Sequence, residues 1–255
     1  NRGRRQSHRL PIGAGAWLIM RIRRQQAIET PVPSDTAATD TCTTASAERA
    51  RLDFELSPSL SAKDAAGVMA AWVEGSEVAK RRRDVRVEAE LAYGPDPRHR
   101  LDIWAPPTPG KEPSPVVIFL HGGFWQRGSK EYGGFAGPAL AKAGCVYVAA
   151  GYRLAPDAPL RAIVDDVAAA IALVRDRALV FGGDSDRIVL AGHSAGAHLA
   201  ATMLAGPRAD IAECLAGVVL VSGVFDLAPI AMSYVNDKVG MSPAEIADLS
   251  PALHV

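Results

Sequence analysis

The sequence predicts an α/β protein with a mostly parallel sheet covered by helices on both faces. Three observations carry that expectation. Short, continuous apolar runs recur at 116–120, 146–150, 187–191 and 218–221, as suits strands buried on two sides. Segments with helical spacing of apolar residues alternate with those runs. Turn residues rather than long polar linkers separate the two, so the pattern is strand–helix–strand in one sheet.

The elements follow in order. Residues 61–80 have a helical stripe of Ala66, Val68, Met69, Trp72 and Val73, with Ser61 as the expected cap and the basic run Lys80 to Arg83 as a solvated C-terminal end. Arg86 to Tyr93 and Arg100 to Trp104 alternate partly. Gly94-Pro95-Asp96-Pro97 lies between them, which predicts an antiparallel hairpin. The strand at 116–120, a short helix over 132–143, the strand at 146–150 and a helix from Pro159 to Val174 come next. A strand at 187–191, a helix at 197–204 and a further buried strand at 218–221 complete the alternation. Ser242-Pro243-Ala244-Glu245 reads as a capping box opening a final short helix.

Composition narrows the class of protein. The chain has 255 residues, 48% hydrophobic and 22% charged, enough for one large soluble domain. Its formal charge is zero but uneven. Residues 1–28 hold seven arginines and no acid, which leaves 21 basic against 28 acidic residues in the rest. A mildly acidic body argues against nucleic acid as a partner. The apolar run Leu10 to Met20 is too short to span a bilayer. Arginines follow it at once, so it is read as neither signal peptide nor anchor, and no membrane partner is expected. Met20 or a later codon is the expected start. Residues 29–48 are rich in Thr, Ala, Ser and Pro and read as disordered. The domain boundary is therefore placed at 50, with a tail over 1–50 and one globular domain over 51–255. Cys42, Cys145 and Cys214 are few, odd in number and far apart, which suits a reducing, cytoplasmic setting and neither a disulfide framework nor a zinc site.

Two motifs carry chemistry. Gly192-His193-Ser194-Ala195-Gly196 stands between a strand and a helix. A G-x-S-x-G in that context presents a serine on a strained turn with its hydroxyl exposed, at the positive end of a helix. Taken by itself the pattern also fits ordinary strand–helix packing. His121-Gly122-Gly123-Phe124-Trp125 follows the strand at 116–120. Adjacent glycines there let backbone N–H groups approach a ligand, and acyl transfer needs two such donors on its oxyanion. The pair of motifs on one sheet makes a chance match of either improbable, and Ser194 is read as a nucleophile.

With those residues in hand, the chain resembles the α/β-hydrolase superfamily from about residue 50 to the end. Gly151-Tyr152-Arg153-Leu154-Ala155-Pro156 is similar to a segment of the hormone-sensitive-lipase-like esterases. HGGFW at 121–125, GHSAGAHLA at 192–200 and the SG-x-x-DL-x-P segment at 222–229 are similar to arylformamidases (kynurenine formamidases) of this fold. Phe124 stands where the lipase-like branch more often has a third glycine, and His193 where it has Asp; both favour the formamidase branch. The resemblance implies a serine hydrolase of an aryl formamide or a small ester, working through an acyl-enzyme on Ser194. It implies an oxyanion hole of Gly122, Gly123 and Ala195 N–H groups, with Phe124 as a further contributor. Phe124 and Trp125 would wall an aromatic pocket, and Tyr152 and Arg153 would be structural. A general carboxylesterase and a non-catalytic ligand-binding relative stay open as alternatives. The only partner expected is a small aryl amide or ester, with no cofactor and no metal; the oligomeric state is left open.

The base and the acid are the weak part of this reading. In this fold the order along the chain is serine, acid, histidine. His8 is in the tail, His99 in the hairpin turn, His121 and His193 in the two motifs, and His198 along the next helix. His254 alone lies downstream, as the penultimate residue, and is read first as a loop residue. Asp226 is the in-chain candidate acid, more readily a loop cap, while Asp237 and Asp248 read as surface acids. Six strand signals, where the resembling fold has eight, predict that the last two strands, with the triad acid and histidine, lie beyond Val255.

Overall fold

The computed structural model describes residues 38–255. The expected start and most of the tail therefore lie outside the described residues. From residue 38 a helix, α1 (Ala38–Glu55), runs across the boundary expected at 50. The Thr/Ala/Ser composition hid it. Its C-terminal half is held by Arg49–Asp53 and Arg51–Glu55 pairs, each four apart, and by Leu52, which is buried. Asp53 also accepts from the Tyr234 N–H at 2.6 Å, a contact no local pattern reveals.

Two further helices follow, α2 (Pro58–Ser61) and α3 (Ala65–Lys80). The cap of α3 is Asp64, not Ser61: its carboxylate accepts from the Gly67 N–H at 2.9 Å. The hairpin β1 (Arg86–Ala92) and β2 (Arg100–Ala105) forms as predicted, with a bulge between Glu88 and Leu91. Strand β3 (Ser114–Leu120), short helix α4 (Gly137–Lys142), strand β4 (Val146–Ala150) and helix α5 (Leu160–Phe181) come next. Helix α5 runs seven residues past its predicted end, to a left-handed cap at Gly182. Exposed Leu179 and Val180 blur the apolar stripe there, but Ala178 and Phe181 keep it buried. Strand β5 (Gly183–His193), helix α6 (Ala195–Thr202) and strand β6 (Gly217–Val221) complete the sheet. Short helices α7 (Ala228–Ala231), α8 (Asn236–Val239) and α9 (Pro243–Asp248) follow, and α9 has the predicted capping box on Ser242 and Glu245.

The sheet order is β1-β2-β4-β3-β5-β6. Strands β4, β3, β5 and β6 run parallel, and the hairpin joins antiparallel through β2. Alternate residues feed two cores, as the period of a strand requires. Leu101, Ile103, Ile118, Leu120, Val146 and Val148 pack with α5 and α6 on one face. Trp104, Tyr147 and Ala149 pack with Ala79 of α3 and Ala141 of α4 on the other. Both faces are thus covered. Strand β6 departs from its expected burial: Val219, Leu220 and Val221 are 51%, 37% and 48% exposed. It is the last strand of the described sheet, so β5 covers one edge of it and no described strand the other.

Register is what positions the site. Leu120 pairs with Gly192, and His193 pairs with Val221, so the loops leaving β3 and β5 emerge side by side at the C-terminal edge of the sheet. That edge is where α/β sheets bind ligands.

Candidate active site

Ser194 sits on the turn from β5 into α6 with φ +54° and ψ −118°, a backbone conformation a non-glycine residue adopts only under constraint. The constraint is visible. The Ser194 N–H donates to Val221 O at 2.8 Å, and its carbonyl accepts the first helical bond from His198 N at 3.0 Å. Gly196 lets α6 approach β3: a Cβ there would lie 2.1 Å from Leu120 O and 2.5 Å from His121 O. The Ser194 side chain is half-buried, and its Oγ has no hydrogen-bond partner among the described residues.

The loop after β3 meets this turn directly. A Cβ on Gly122 would stand 3.1 Å from Ser194 Cβ, so the two backbones are in contact. Gly123 has φ +127° and carries its carbonyl into a tight turn, accepting from Gln126 N at 3.0 Å and Arg127 N at 3.1 Å. Phe124 and Trp125 also have positive φ, +50° and +57°. Distant bonds hold that strained loop: Ala155 N donates to Trp125 O, and the Gln126 amide donates to Val235 O at 2.6 Å. The N–H groups of Gly123 and Ala195 donate to no described residue. Free donors flanking a serine whose hydroxyl is unengaged are the arrangement an oxyanion needs.

His121 and Tyr152 brace the loop from behind. Their rings stack 4.2 Å apart, and the Tyr152 hydroxyl donates to His121 O at 2.5 Å. Burial pushes the His121 imidazole down to about 4, so it is neutral at pH 7 and Nδ1–H donates to Gly122 O at 2.8 Å. Arg153 forms a two-pronged pair with buried Asp166, with Nη2 2.6 Å from Oδ1. Tyr152 and Arg153 are thus both engaged in holding the backbone and the buried Asp166, in keeping with the structural part the resemblance implied.

Ser194, Gly122 and Gly123 open into a cavity of about 390 Å³. Its walls are Met69 and Trp72 of α3, Phe124, Tyr132 and His193, and its roof is α2 with the start of α3. Trp72 meets Tyr132 edge-on at 5.9 Å and His193 at 6.4 Å. Of the apolar stripe of α3 read from the sequence, Val68, Met69 and Trp72 line the cavity above Ser194, while Ala66 and Val73 are exposed; spacing predicts an apolar face but not what it faces.

Phe124 lines the cavity. Trp125 does not. It is fully buried, packed edge-on against His198 at 4.9 Å. The resemblance implied a place on the wall; in the fold the ring instead joins the core and packs against α6, a contact with a distant element that the sequence does not show. His198 is also fully buried. Its Nε2–H donates to Leu249 O at 2.7 Å, and burial pushes its pKa down to about 4.

The in-chain candidates for acid and base stand apart from the serine. Asp226 is exposed and its carboxylate accepts from Ala228 N at 2.9 Å, capping α7. His254 is exposed, with Nε2 3.0 Å from Asp248 O. Neither lines the cavity. Asp237 pairs with Arg49 and Asp248 with Arg161, both at the surface.

A second cluster, missed from sequence, lies under the loop after β3. Glu90, Asp102 and Glu131 gather their oxygens within 4.8 Å, a spacing that would suit a metal. Two ammonium groups occupy it instead. Lys130 Nζ is 2.5, 2.8 and 2.7 Å from Glu90, Asp102 and Glu131, and Lys80 Nζ is 2.9 Å from Glu131. Lys80, read as part of a solvated helix end, is largely buried here because Asp102 needs a partner. Burial raises the Glu131 pKa, but hydrogen bonds from Lys130, Ser129 and Lys80 outweigh it and hold the carboxyl well below the usual range.

A parallel sheet with a serine elbow and a facing glycine loop at its C-terminal edge defines an α/β-hydrolase. Solved structures agree. A thioesterase structure from Silicibacter superposes with TM-score 0.65 at 27% identity, covering 76% of this chain and 71% of that one. The carboxylesterase EstE1, cloned from a metagenomic library, gives 0.58 at 26%, covering 73% and 70%. Residues 101–252 match the BD-FAE family, and the chain belongs to it. Among relatives, the kynurenine formamidase of Danio rerio is 34% identical over 199 residues, 77% of this chain and 66% of that protein. The kynurenine formamidase of Salmo salar is 36% identical over 184 residues, 71% and 60%. Esterase LipC of Mycobacterium tuberculosis is 41% identical over 121 residues, 47% and 30%. The chain spans less than two thirds of the length of these relatives. No helix among the described residues is long and apolar enough to cross a membrane.

Proposed function

We propose that this protein hydrolyses an aryl formamide or a small aryl ester through an acyl-enzyme on Ser194. The observation that carries the proposal is the meeting of Ser194, at φ +54°, with Gly122 and Gly123 in the lining of an aromatic-walled cavity, where the Gly123 and Ala195 N–H groups donate to no described residue. Ser194 Oγ bonds to the carbonyl carbon, and the carbonyl electrons move onto oxygen, where those N–H groups receive the charge. The oxyanion then collapses, the C–N or C–O bond breaks, and the amine or alcohol leaves with a proton. Water repeats the sequence on the acyl-enzyme and frees Ser194. The serine proton needs a base. Asp226 and His254 do not supply it in this arrangement, since each is engaged away from the cavity.

The relatives named kynurenine formamidase support the formamide, and the aromatic walls fit a planar ring. A second reading, a general carboxylesterase, is favoured by the esterase structures. Steady-state kinetics on the native protein separate the two. The expected result is a kcat/KM for N-formylkynurenine above that for p-nitrophenyl acetate, with both lost by roughly 10⁴-fold or more in Ser194→Ala. Covalent capture of Ser194 by a fluorophosphonate, detected by mass spectrometry, tests the nucleophile itself. Turnover that survives Ser194→Ala defeats the proposal.

A further inference from the structure

The cavity above Ser194 is largely apolar, and three charged side chains line it, all exposed at its open side: Lys63, Asp64 and Arg127. Asp64 is committed, because its carboxylate caps α3 through the Gly67 N–H. Lys63 and Arg127 are not. Neither makes an ion pair or side-chain hydrogen bond with any described residue. The contrast with nearby cations is plain: Lys80 and Lys130 each meet carboxylates within 3 Å, and Arg153 is doubly bonded to Asp166.

Arg127 is also anchored in place. Its N–H closes the turn onto Gly123 O at 3.1 Å, and its Cγ lies 3.1 Å from where a Gly123 Cβ would stand. The guanidinium stem therefore starts beside the loop that flanks Ser194. Lys63 lines the same cavity from another element, the link between α2 and α3.

From this we infer that Lys63 and Arg127 form a cationic rim that selects substrates carrying an anionic group, a carboxylate first, on the part that reaches the mouth while the reacting carbonyl sits at Ser194. A guanidinium matches a carboxylate with two parallel N–H bonds, and a second cation lining the same cavity adds a point charge. Substrates with a neutral group at that position keep the aromatic contacts and lose the rim. The rim acts on specificity and takes no part in bond making. The inference rests on the reading of this cavity as the substrate site, and not on whether Ser194 turns over.

Binding therefore tests it without catalysis. 4-Phenylbutanoate and 4-phenylbutanamide share a ring and a chain and differ in charge. Titrated into the protein by calorimetry at low ionic strength, the carboxylate is expected to bind about tenfold more tightly. In Arg127→Gln/Lys63→Gln the two are expected to bind equally, at the affinity of the amide. Arg127→Glu should reverse the preference, and its unchanged circular dichroism would show that the exposed position tolerates it. Equal binding of both ligands to the unsubstituted protein overturns the inference, as does a preference that survives the double substitution, or no binding of either. Loss of fluorophosphonate labelling at Ser194 with the carboxylate preference intact would instead remove the hydrolase reading and leave the rim.

Discussion

Gly196→Ala tests how closely the elbow helix must approach the strand that carries the glycine loop. The added methyl would stand 2.1 Å from Leu120 O and 2.5 Å from His121 O, where ordinary contact begins at 3.4 Å. Both obstacles are backbone, at the end of a strand paired on both sides and the residue that follows it, so neither can rotate away. The helix has to move outward by roughly 1 Å, at a cost near the top of the overpacking range, about 3 kcal/mol. That corresponds to a fall in Tm of roughly 6–12 °C for a domain of this size. The same shift separates Ala195 N–H from Gly123 N–H, and a misplacement of about 1 Å costs on the order of 100-fold in rate. Thermal unfolding reads the first effect, and the rate of fluorophosphonate labelling at Ser194 reads the second. Gly217→Ala is the control: a Cβ there meets nothing within 4 Å, so its stability should stay within about 0.5 kcal/mol. A Gly196→Ala protein as stable and as reactive as its parent would refute the close-approach argument.

Other consequences follow from the same geometry. Lys130→Met leaves Asp102, which is 1% exposed, with Lys80 as its remaining cation, and should destabilise by about 3 kcal/mol in chemical denaturation. Glu131 has a lowered folded pKa, so its contribution is present above the unfolded value of about 4.3 and is lost as pH falls below it; Glu131→Gln should flatten the acid limb of a stability–pH curve. His198 is held neutral by burial, with its pKa near 4 against 6.5 unfolded, so the unfolded chain binds the extra proton between those values. Stability should therefore fall as pH drops from 6.5 to 4, and His198→Gln, which can still donate to Leu249 O, should reduce that fall. Trp72→Ala removes the aromatic wall opposite Tyr132 and should weaken binding of an aryl ligand by about tenfold, with Tm shifted little because the ring is only half-buried.

Much of the site was legible because it is built from neighbours in sequence. The strand at 187–193, the turn at Ser194 and the helix behind it are consecutive, and their glycine spacing reports a close approach directly. HGG after an apolar strand carries its message the same way. The roof of the cavity was not legible. Helices α2 and α3 end more than 110 residues before Ser194, and only the folded sheet brings Trp72 within 6.4 Å of His193. Trp125 was placed on the wall by resemblance, and only the fold shows that its ring packs into the core against His198 of α6. Lys80 looked solvated because its partners, Asp102 and Glu131, lie on other elements.

The sequence by itself determined the α/β alternation, the elbow at Ser194 and the facing glycine loop. Periodicity, glycine spacing and turn chemistry are local, and a few adjacent residues decide them. The tertiary structure decided the strand order, the aromatic roof, the buried ion cluster at Lys130 and the two unpaired cations at the cavity mouth. Each of those depends on which distant side chains the sheet brings together. Charge pairing in particular is a property of neighbours in space, and Lys130 and Arg127, three residues apart in the chain, differ only in what the fold places beside them.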